Sequence, residues 1–401
     1  MAGFFNPHSF EKRSKGTPKR ITQCGKCGLA SKCLSPKMTY GGSGEVGILF
    51  IRNAVSEQDD QFGQFFTDAG SEFLRECAKE LGYDLEDCWM SYAICCHPGE
   101  DLEPYMVSCC RPAIYKTIKE LKPKVIVTLG RYALESVIKD IWGQDIGKFE
   151  RWIGWKIPFK EYNCWLCPVN DPDYVLGLKK MPVAKLMFRN NIKEVFKVYD
   201  KKPNYAILED LESQIEIVSS TKRAKKLLED LSTKSGYLAW DYETTGLKPD
   251  RQKQKIVSVS FCYNGKKTFA FMMRPGLQEA LKAVLTNPRL KKIASNLKFE
   301  ERWTLAKYGY SVAGWYWDTM LMAHCIDNRS YITSVKFQAF VLLGIGDYDS
   351  HIKPYLRSKF SNTLNQIFEL DKKELLLYNG MDSLLEYKVM EIQRQIYNGE
   401  A

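Results

Sequence analysis

Apolar and polar positions in the first half of the chain follow the patterns of alternating strands and helices. Continuous apolar runs predict three buried strands, at 45–50, 89–94 and 125–129. Apolar residues at helical spacing predict four helices, at 71–81, 113–121, 131–142 and 181–199. Strands that alternate with helices and are bounded by glycines indicate a parallel α/β sheet.

A second α/β pattern follows the segment DKKPN at 200–204, which we predict to be a linker. Its predicted elements are strands at 214–219, 237–242, 256–263 and 268–273, a helix at 221–231, and a mostly helical remainder. We therefore expect three regions: a basic, flexible lead-in at 1–20, a first domain at 21–200 and a second domain at 201–401.

Composition fits this division. The chain has 401 residues, of which 45% are hydrophobic and 26% charged, and these are the values of a globular protein. No run of about 18 apolar residues is present, so we expect no membrane span. The start has no apolar stretch typical of a secretion signal, and we expect the protein to stay in the cytoplasm where it is made.

The net charge of +10 permits a polyanionic partner without requiring one. Residues 1–200 carry 28 basic and 25 acidic side chains, whereas residues 201–401 carry 30 and 23. The larger share of the excess, +7, therefore lies in the second half.

Carboxylates recur at the ends of predicted elements in the second half. Asp241 and Glu243 end an apolar strand, and because strand side chains alternate, both carboxylates share one face. Two like charges placed together are costly unless a cation lies between them. Glu300 lies at the start of a predicted helix, and Tyr378 and Asp382 are four residues apart on one helical face.

Three motifs in this order resemble the proofreading 3′–5′ exonuclease domain of family A DNA polymerases, in its DEDDy group. They are DYETTGL at 241–247, NLKFE at 296–300 and YNGMD at 378–382, and the resemblance covers about residues 205–398. It implies a ribonuclease H-like α/β fold. The family has aspartate where this chain has Glu300, and the adjacent Glu301 is the alternative ligand.

The resemblance also implies roles for these residues. Asp241, Glu243 and Asp382 would hold one Mg²⁺ or Mn²⁺ ion, and Asp241 with Glu300 would serve a second, while Tyr378 orients the attacking water. The implied substrate is DNA with a single-stranded or frayed 3′ end. Its contacts would come from Thr244, Asn296 and Leu247, the last as a wedge between terminal bases.

Thirteen cysteines are many for a chain expected in a reducing compartment, where disulfides are rare. Cys24 and Cys27 form a C-x-x-C pair, and the adjacent pairs Cys95-Cys96 and Cys109-Cys110 can offer two more thiolates. Four thiolates bind zinc or an iron–sulfur cluster, and spacing alone does not separate the two. We interpret a further C-x-x-C at 164–167, in a strand-like context, as core.

Segments around these cysteines resemble family 4-type uracil-DNA glycosylases over about residues 20–199. They include CGKCGLASKC, FGQFFTDAGSEFL, AICCHPG and KPKVIVTLGRYAL. The resemblance implies a three-layer α/β/α domain with a four-iron, four-sulfur cluster on Cys24, Cys27, Cys96 and Cys110. Zinc on the same four residues is the alternative.

The glycosylase pocket departs from the family at three positions. Asn53 replaces an acid, Tyr92 replaces the asparagine that reads uracil, and Asp171 replaces a histidine, although Phe66 remains where a base would stack. A flipped base must be hydrogen-bonded along its pairing edge. We therefore expect a degenerate domain that contacts DNA without excising uracil.

The two domains together resemble the N-terminal region of certain bacteriophage family A DNA polymerases. The sequence ends 19 residues after Asp382. We therefore expect either an exonuclease subunit that works with a separate polymerase chain or other replication proteins, or a truncated polymerase. Phage origin would place it in the host cytoplasm. Two alternatives remain: an active uracil or lesion glycosylase in DNA repair, and a non-catalytic DNA-binding protein of replisome assembly.

Overall fold

The computed structural model describes residues 24–100, 102–203, 210–358, 360 and 363–400. They form two compact units, the first built from the described residues up to 203 and the second from those from 210 onward. The predicted lead-in at 1–20 lies outside the described residues, as does residue 204 of the predicted linker.

The first unit alternates strands and helices. Its strands are β1 (Tyr40–Gly41), β2 (Ile48–Ala54), β3 (Trp89–Ile94), β4 (Val125–Leu129), β5 (Ile157–Phe159) and β6 (Cys164–Val169). Its helices are α1 (Glu57–Phe62), α2 (Ala69–Glu80), α3 (Pro104–Leu121), α4 (Arg131–Trp142), α5 (Pro172–Gly177) and α6 (Pro182–Val198).

These strands form one sheet in the order β1-β3-β2-β4-β6-β5. The four central strands, β3, β2, β4 and β6, are parallel, and β1 and β5 pair antiparallel at the edges. The predicted parallel α/β sheet is therefore confirmed, with antiparallel strands added at both edges.

Helices cover both faces of this sheet. Ile48 and Phe50 of β2 belong to the core cluster that contains Phe73 of α2 and Phe188 of α6. Strand side chains alternate, so Leu49 and its neighbours face the other way, where α3 and α4 contact the sheet. The result is the expected three-layer α/β/α arrangement.

The second unit is a mixed sheet with helices on both faces. Its strands are β7 (Ile215–Val218), β8 (Gly236–Thr244), β9 (Ile256–Tyr263), β10 (Lys267–Met272), β11 (Leu290–Ala294) and β12 (Trp315–Asp318). Its helices are α7 (Thr221–Ser232), α8 (Gln278–Leu285), α9 (Lys298–Tyr308), α10 (Thr319–Ile326), α11 (Val335–Leu343), α12 (Lys353–Leu356) and α13 (Lys372–Tyr397).

The strand order is β12-β11-β8-β9-β10-β7, with β12, β11 and β8 parallel and β9 antiparallel to both of its neighbours. The long helix α13 contacts this sheet from β7 to β11. Gly380 permits the close approach, because a Cβ there would lie 2.5 Å from Ile215 Cγ2. This α/β fold agrees with the expected ribonuclease H-like architecture.

Several elements differ from the sequence-based expectation. Strands β11 and β12 were not predicted, because each is short and carries polar residues within its span. Helix α3 begins at Pro104, nine residues before the predicted start, and it contains Pro112. Among the described residues, no helix is both long enough and apolar enough to cross a membrane.

Candidate active site

Side chains of strand β8 point alternately to the two faces of the sheet, so its core residues and its carboxylates lie on opposite faces. Trp240 and Tyr242 are buried in the core cluster with α7 and α8. Asp241 and Glu243 therefore face the opposite side, towards α13. There the Asn379 side chain donates a hydrogen bond of 2.7 Å to Asp241 Oδ2. The expectation that both carboxylates share one face agrees with this geometry.

Helix α13 supplies a third carboxylate, from Asp382. Carboxylate oxygens of Asp241, Glu243 and Asp382 lie within 4.8 Å of one another. The Tyr348 hydroxyl donates a hydrogen bond of 2.6 Å to Asp382 Oδ1, which fixes that carboxylate. Hard oxygen donors at this spacing fit a divalent cation such as Mg²⁺ or Mn²⁺.

The electrostatics of these carboxylates also favour a cation. Burial, followed by the charge of Asp382, raises the pKa of Asp241 well above its ordinary value. Burial, followed by the charge of Asp241, does the same to Glu243. The ionised forms are costly here unless a positive charge compensates them.

Lys336 is the cation that contacts this cluster. Its ammonium lies 3.6 Å from Asp382 Oδ2 and 3.5 Å from Asp349 Oδ2, and it donates a hydrogen bond of 2.7 Å to the Tyr378 hydroxyl. Burial lowers the pKa of Lys336, but the neighbouring carboxylates, Asp382 first, outweigh it and raise the pKa above its ordinary value. Lys336 is therefore charged and holds the phenol of Tyr378.

Glu300 is close to the cluster but does not belong to its tight group. It lies in the first turn of α9, is 2% exposed, and does not line the cleft of the other carboxylates. Burial, followed by the charge of Asp241, raises the pKa of Glu300 well above its ordinary value. The alternative Glu301 faces away, because its Oε2 accepts hydrogen bonds from Val312 N and Trp315 Nε1, both of 3.0 Å.

A tight turn between β11 and α9 places Glu300. Asn296 has a left-handed backbone with φ of 63°, a conformation that asparagine tolerates better than most residues. The amides of Asn296 and Leu297 donate to the two carboxylate oxygens of Asp318, each at 3.0 Å. Asp318 also caps the N-terminus of α10, where its carboxylate accepts from the Met320 and Leu321 amides.

Of the three predicted substrate contacts at this site, Leu247 and Thr244 line the cleft and Asn296 does not. Leu247 lines the cleft and is 73% exposed, as a wedge between bases requires. Thr244 also lines it, but its hydroxyl donates to Gly246 O at 2.8 Å and is buried. The Asn365 side chain donates to Thr244 O at 2.9 Å and joins this loop to the segment before α13.

Sequence reasoning missed several residues of this site. Lys336 is a single cation in an otherwise mostly apolar helix, and that isolation was the available signal. Asn379 adjoins Tyr378, and Glu386 continues the four-residue spacing of Tyr378 and Asp382 along α13. Nothing in the sequence pattern pointed to Tyr348, because only the folded chain brings it to Asp382.

In the first unit, an ion-pair network occupies the region of the expected glycosylase pocket. The buried Arg52 guanidinium donates to both carboxylate oxygens of Asp68, at 2.6 and 2.5 Å, and to Ser71 Oγ at 2.8 Å. It also contacts the carboxylates of Asp173 and Asp171. The guanidinium lies 5.7 Å from the centroid of the Phe66 ring.

The substituted pocket positions take part in further internal hydrogen bonds. Tyr92 is completely buried, donates to Asp59 Oδ2 at 2.7 Å and accepts from Phe66 N at 3.0 Å. Asn53 donates to Asp171 Oδ2 at 3.0 Å, while its Oδ1 accepts from two amides at the start of α4. Phe66 is also completely buried, so a base reaches its ring only after these side chains move.

Three of the four predicted cluster cysteines lie near one another in the first unit. Cys96 is buried with Leu29, and Cys27 and Cys110 pack against the same group. Cys96 Sγ accepts a hydrogen bond of 3.3 Å from Lys37 N. Cys33 contacts Cys96 and Cys95 contacts Cys110, although neither was assigned a role. Cys164 and Cys167 are buried in β6, as predicted.

Comparisons with known sequences match each unit to a different family. Residues 38–195 match the family model for the Uracil DNA glycosylase superfamily, and residues 215–346 match the model for a 3′–5′ exonuclease. The type-4 uracil-DNA glycosylase of Saccharolobus solfataricus is 28% identical over 148 residues, 34% of this chain and 68% of that protein. That of Archaeoglobus fulgidus is 27% identical over 121 residues, 30% of this chain and 60% of that protein.

Solved structures similar to this chain include several nucleases. Escherichia coli RNase D has a TM-score of 0.37 at 12% identity and covers 46% of this chain and 45% of its own. Brucella melitensis NrnC with bound Mg²⁺ has a TM-score of 0.35 at 14% identity, and the match covers 47% of this chain and 83% of the NrnC chain. The family matches, together with the two folds, show that this chain joins a domain of the uracil DNA glycosylase superfamily to a 3′–5′ exonuclease domain.

Proposed function

We propose that this protein is a metal-dependent exonuclease that shortens DNA from the 3′ end. One observation carries the proposal: three carboxylates from β8 and α13 lie within 4.8 Å of one another in an open cleft. Like charges so close in a buried site require a compensating cation. Asp241, Glu243 and Asp382 would hold one divalent ion, and Asp241 with Glu300 a second.

Two ions bound here would lower the pKa of an attacking water and stabilise the leaving 3′ oxygen. The residues of the chain position the reactants. Tyr378 accepts a hydrogen bond from Lys336, so its own O–H remains available to donate to the attacking water. Exposed Leu247 would separate the terminal bases, and Thr244 at the end of β8 and Asn296 in the turn before α9 would contact the substrate.

We propose a non-excising, DNA-contacting role for the first unit. The Arg52 network and the buried Tyr92 leave the expected base pocket filled with satisfied internal contacts. A flipped uracil would have to displace these groups and would find no pairing partner in their place. Phe66 would stack on a base only in such a rearranged state.

Cys24, Cys27, Cys96 and Cys110 would hold a four-iron, four-sulfur cluster that fixes the surrounding loops. Cys27 and Cys110 pack against the group that contains buried Cys96, which supports a shared metal site. Zinc on the same four residues is the alternative.

In the wider context, the protein would serve DNA replication beside a family A-type polymerase, as a separate chain or as part of it. The resemblance of the two joined domains to the N-terminal region of certain bacteriophage family A DNA polymerases supports this role. The site of action would then be the host cytoplasm. The +7 charge of residues 201–401 would favour binding of the phosphate backbone.

The end from which the protein shortens DNA tests the proposed function. The full chain is incubated with single-stranded DNA labelled at its 5′ end, in Mg²⁺ or in Mn²⁺, with EDTA as control. We expect a ladder of progressively shorter labelled products, and no ladder when the 3′ end carries a phosphate block. Immediate release of the labelled terminal nucleotide, or no digestion in either metal, would contradict the proposal.

A further inference from the structure

Glu386 is a fourth carboxylate lining the exonuclease cleft, and it lies outside the three motifs. It lies on α13, one turn after Asp382 and two turns after Tyr378, so the three side chains share one helical face. Glu386 lines the cleft together with Asp241, Glu243 and Asp382. Its Oε1 accepts a hydrogen bond of 3.2 Å from Ser295 N, at the end of β11.

Two buried oxygens near this point have no hydrogen-bond partner within the described part of the chain. They are Oε2 of Glu386, a residue 3% exposed, and Oε2 of Glu300, a residue 2% exposed. A buried carboxylate oxygen without a partner is costly, and native proteins rarely retain one without a reason such as a bound ion. Asp241 acts electrostatically on both of these glutamates, and Glu300 acts on Glu386.

Among the described residues, no lysine or arginine forms an ion pair with Glu300 or Glu386, whereas Lys336 pairs with Asp382. The charged groups that act most strongly on Glu386 are Asp241, Glu300 and Asp382, all of them acidic. For Glu300 they are Asp241 and Asp318. Lys336 instead contacts Asp349, Asp382 and the Tyr378 hydroxyl.

We infer that Glu386 is a ligand of the second divalent cation, which it holds together with Asp241 and Glu300. This inference rests on the proposed exonuclease function and adds a ligand to its site. Glu300 does not line the cleft, whereas Glu386 does. Glu386 thus supplies a charged oxygen on the accessible side of the second ion, and the Ser295 amide holds its carboxylate in place.

Metal binding tests this inference without relying on activity. Mn²⁺ alone is titrated into the full chain by isothermal calorimetry, with free Mn²⁺ followed by electron paramagnetic resonance. We expect two ions for the unchanged protein. Glu386→Gln preserves the acceptor for Ser295 but removes the charge, so we expect one ion to bind as before and the other roughly 10- to 100-fold more weakly.

Glu391→Gln is the matched control, because Glu391 lies on the same helix and is exposed. It should bind both ions with the affinity of the unchanged protein. Thermal unfolding gives a second readout. In EDTA, Glu386→Gln should unfold at a higher temperature than the unchanged protein, because an uncompensated buried charge is gone. In Mn²⁺ it should gain less stability than the unchanged protein gains.

The outcomes separate this inference from the proposed function. If the unchanged protein digests DNA with Mn²⁺ but Glu386→Gln binds both ions as tightly as before, only the inference is overturned. That result would point to a proton shared by Glu300 and Glu386. If the unchanged protein binds Mn²⁺ at Glu386 but digests no DNA, the proposed function fails while the ligand assignment stands.

Discussion

At the scale of residues, the exonuclease site places more negative charge together than its neighbouring cations compensate. Lys336 lies at one side of the cluster, against Asp382 and Asp349, and Tyr378 accepts its hydrogen bond. Burial raises the pKa values of Asp241, Glu243 and Glu300, and the charge of Asp382 for Asp241 and of Asp241 for the two glutamates raises them further. The charge state of the metal-free site therefore depends on pH, and that dependence is measurable.

The metal-free protein should lose stability as the pH rises. The ordinary pKa values of Asp241 and Glu243 are 3.8 and 4.5, and the fold raises both. Folding therefore favours the protonated forms, so their stabilisation is complete below those ordinary values and is lost as the pH rises through the raised pKa values. Urea unfolding in EDTA between pH 5 and 9 should show a falling midpoint.

Glu243→Gln supplies the control for this pH dependence, because it removes one of the titrating groups. Its midpoint should fall less steeply than that of the unchanged protein. Added Mg²⁺ should flatten the dependence in the unchanged protein, since a bound cation favours the ionised carboxylates. A midpoint that rises with pH in EDTA would contradict the assigned direction of the pKa shifts.

Lys336 and Tyr378 should act as one unit in the reaction. Lys336→Met and Tyr378→Phe should each slow single-turnover digestion of DNA by about 10- to 100-fold, the usual range for one positioned proton-transfer group. Because the lysine acts through the phenol, the double variant should be little slower than the slower single variant. Lys225→Met, an exposed change on α7, is the control, and fully additive losses would refute the coupling.

At the scale of elements, periodicity predicted much of this fold and the tertiary contacts supplied the rest. Alternation along β8 predicted that Asp241 and Glu243 share a face, and the helical repeat of α13 predicted the same for Tyr378 and Asp382. The left-handed turn at Asn296 and the Arg52 network were not predictable. Both depend on partners far along the chain, such as Asp318 and Asp173.

The Arg52 network should stabilise the first unit, because it joins β2 to the starts of α2 and α5. Arg52→Met leaves several carboxylates near one another without their buried cation, and we expect a loss of about 3–5 kcal/mol in the free energy of unfolding. Chemical denaturation measures it. Lys116→Met breaks only an exposed ion pair with Glu120, so its cost should stay below about 1 kcal/mol. Equal costs for the two variants would show that the network is not a stabilising element.

At the scale of the whole molecule, one chain contains two domains similar to nucleic-acid enzymes. The site of one domain is open, whereas the corresponding region of the other is filled by side chains. The exonuclease cleft is open and lined with carboxylates. The corresponding region of the glycosylase-like unit is filled by Arg52, Tyr92 and their acidic partners. The net charge of +10, which composition left without a clear partner, is consistent with a polyanionic substrate.

The first unit should contain iron and release no uracil. The anaerobically purified protein should be brown, with absorption near about 400 nm that is lost in Cys24→Ala/Cys27→Ala, since four thiolates bind such a cluster. Cys164→Ala, which removes a core cysteine, should retain the colour. Incubation with uracil-containing DNA should yield no free base. A colourless protein with bound zinc would overturn the cluster assignment, and released uracil would overturn the non-excising role.

The central claim is that the carboxylates of β8 and α13 carry a 3′–5′ exonuclease activity. The most direct measurement compares Asp241→Asn with the unchanged protein on 5′-labelled single-stranded DNA in Mg²⁺. Asp250→Asn is the control, because Asp250 is exposed and pairs with Arg302 outside the cleft. We predict that Asp241→Asn reduces shortening of the DNA to background while Asp250→Asn shortens it at the normal rate. Undiminished shortening by Asp241→Asn would contradict the claim.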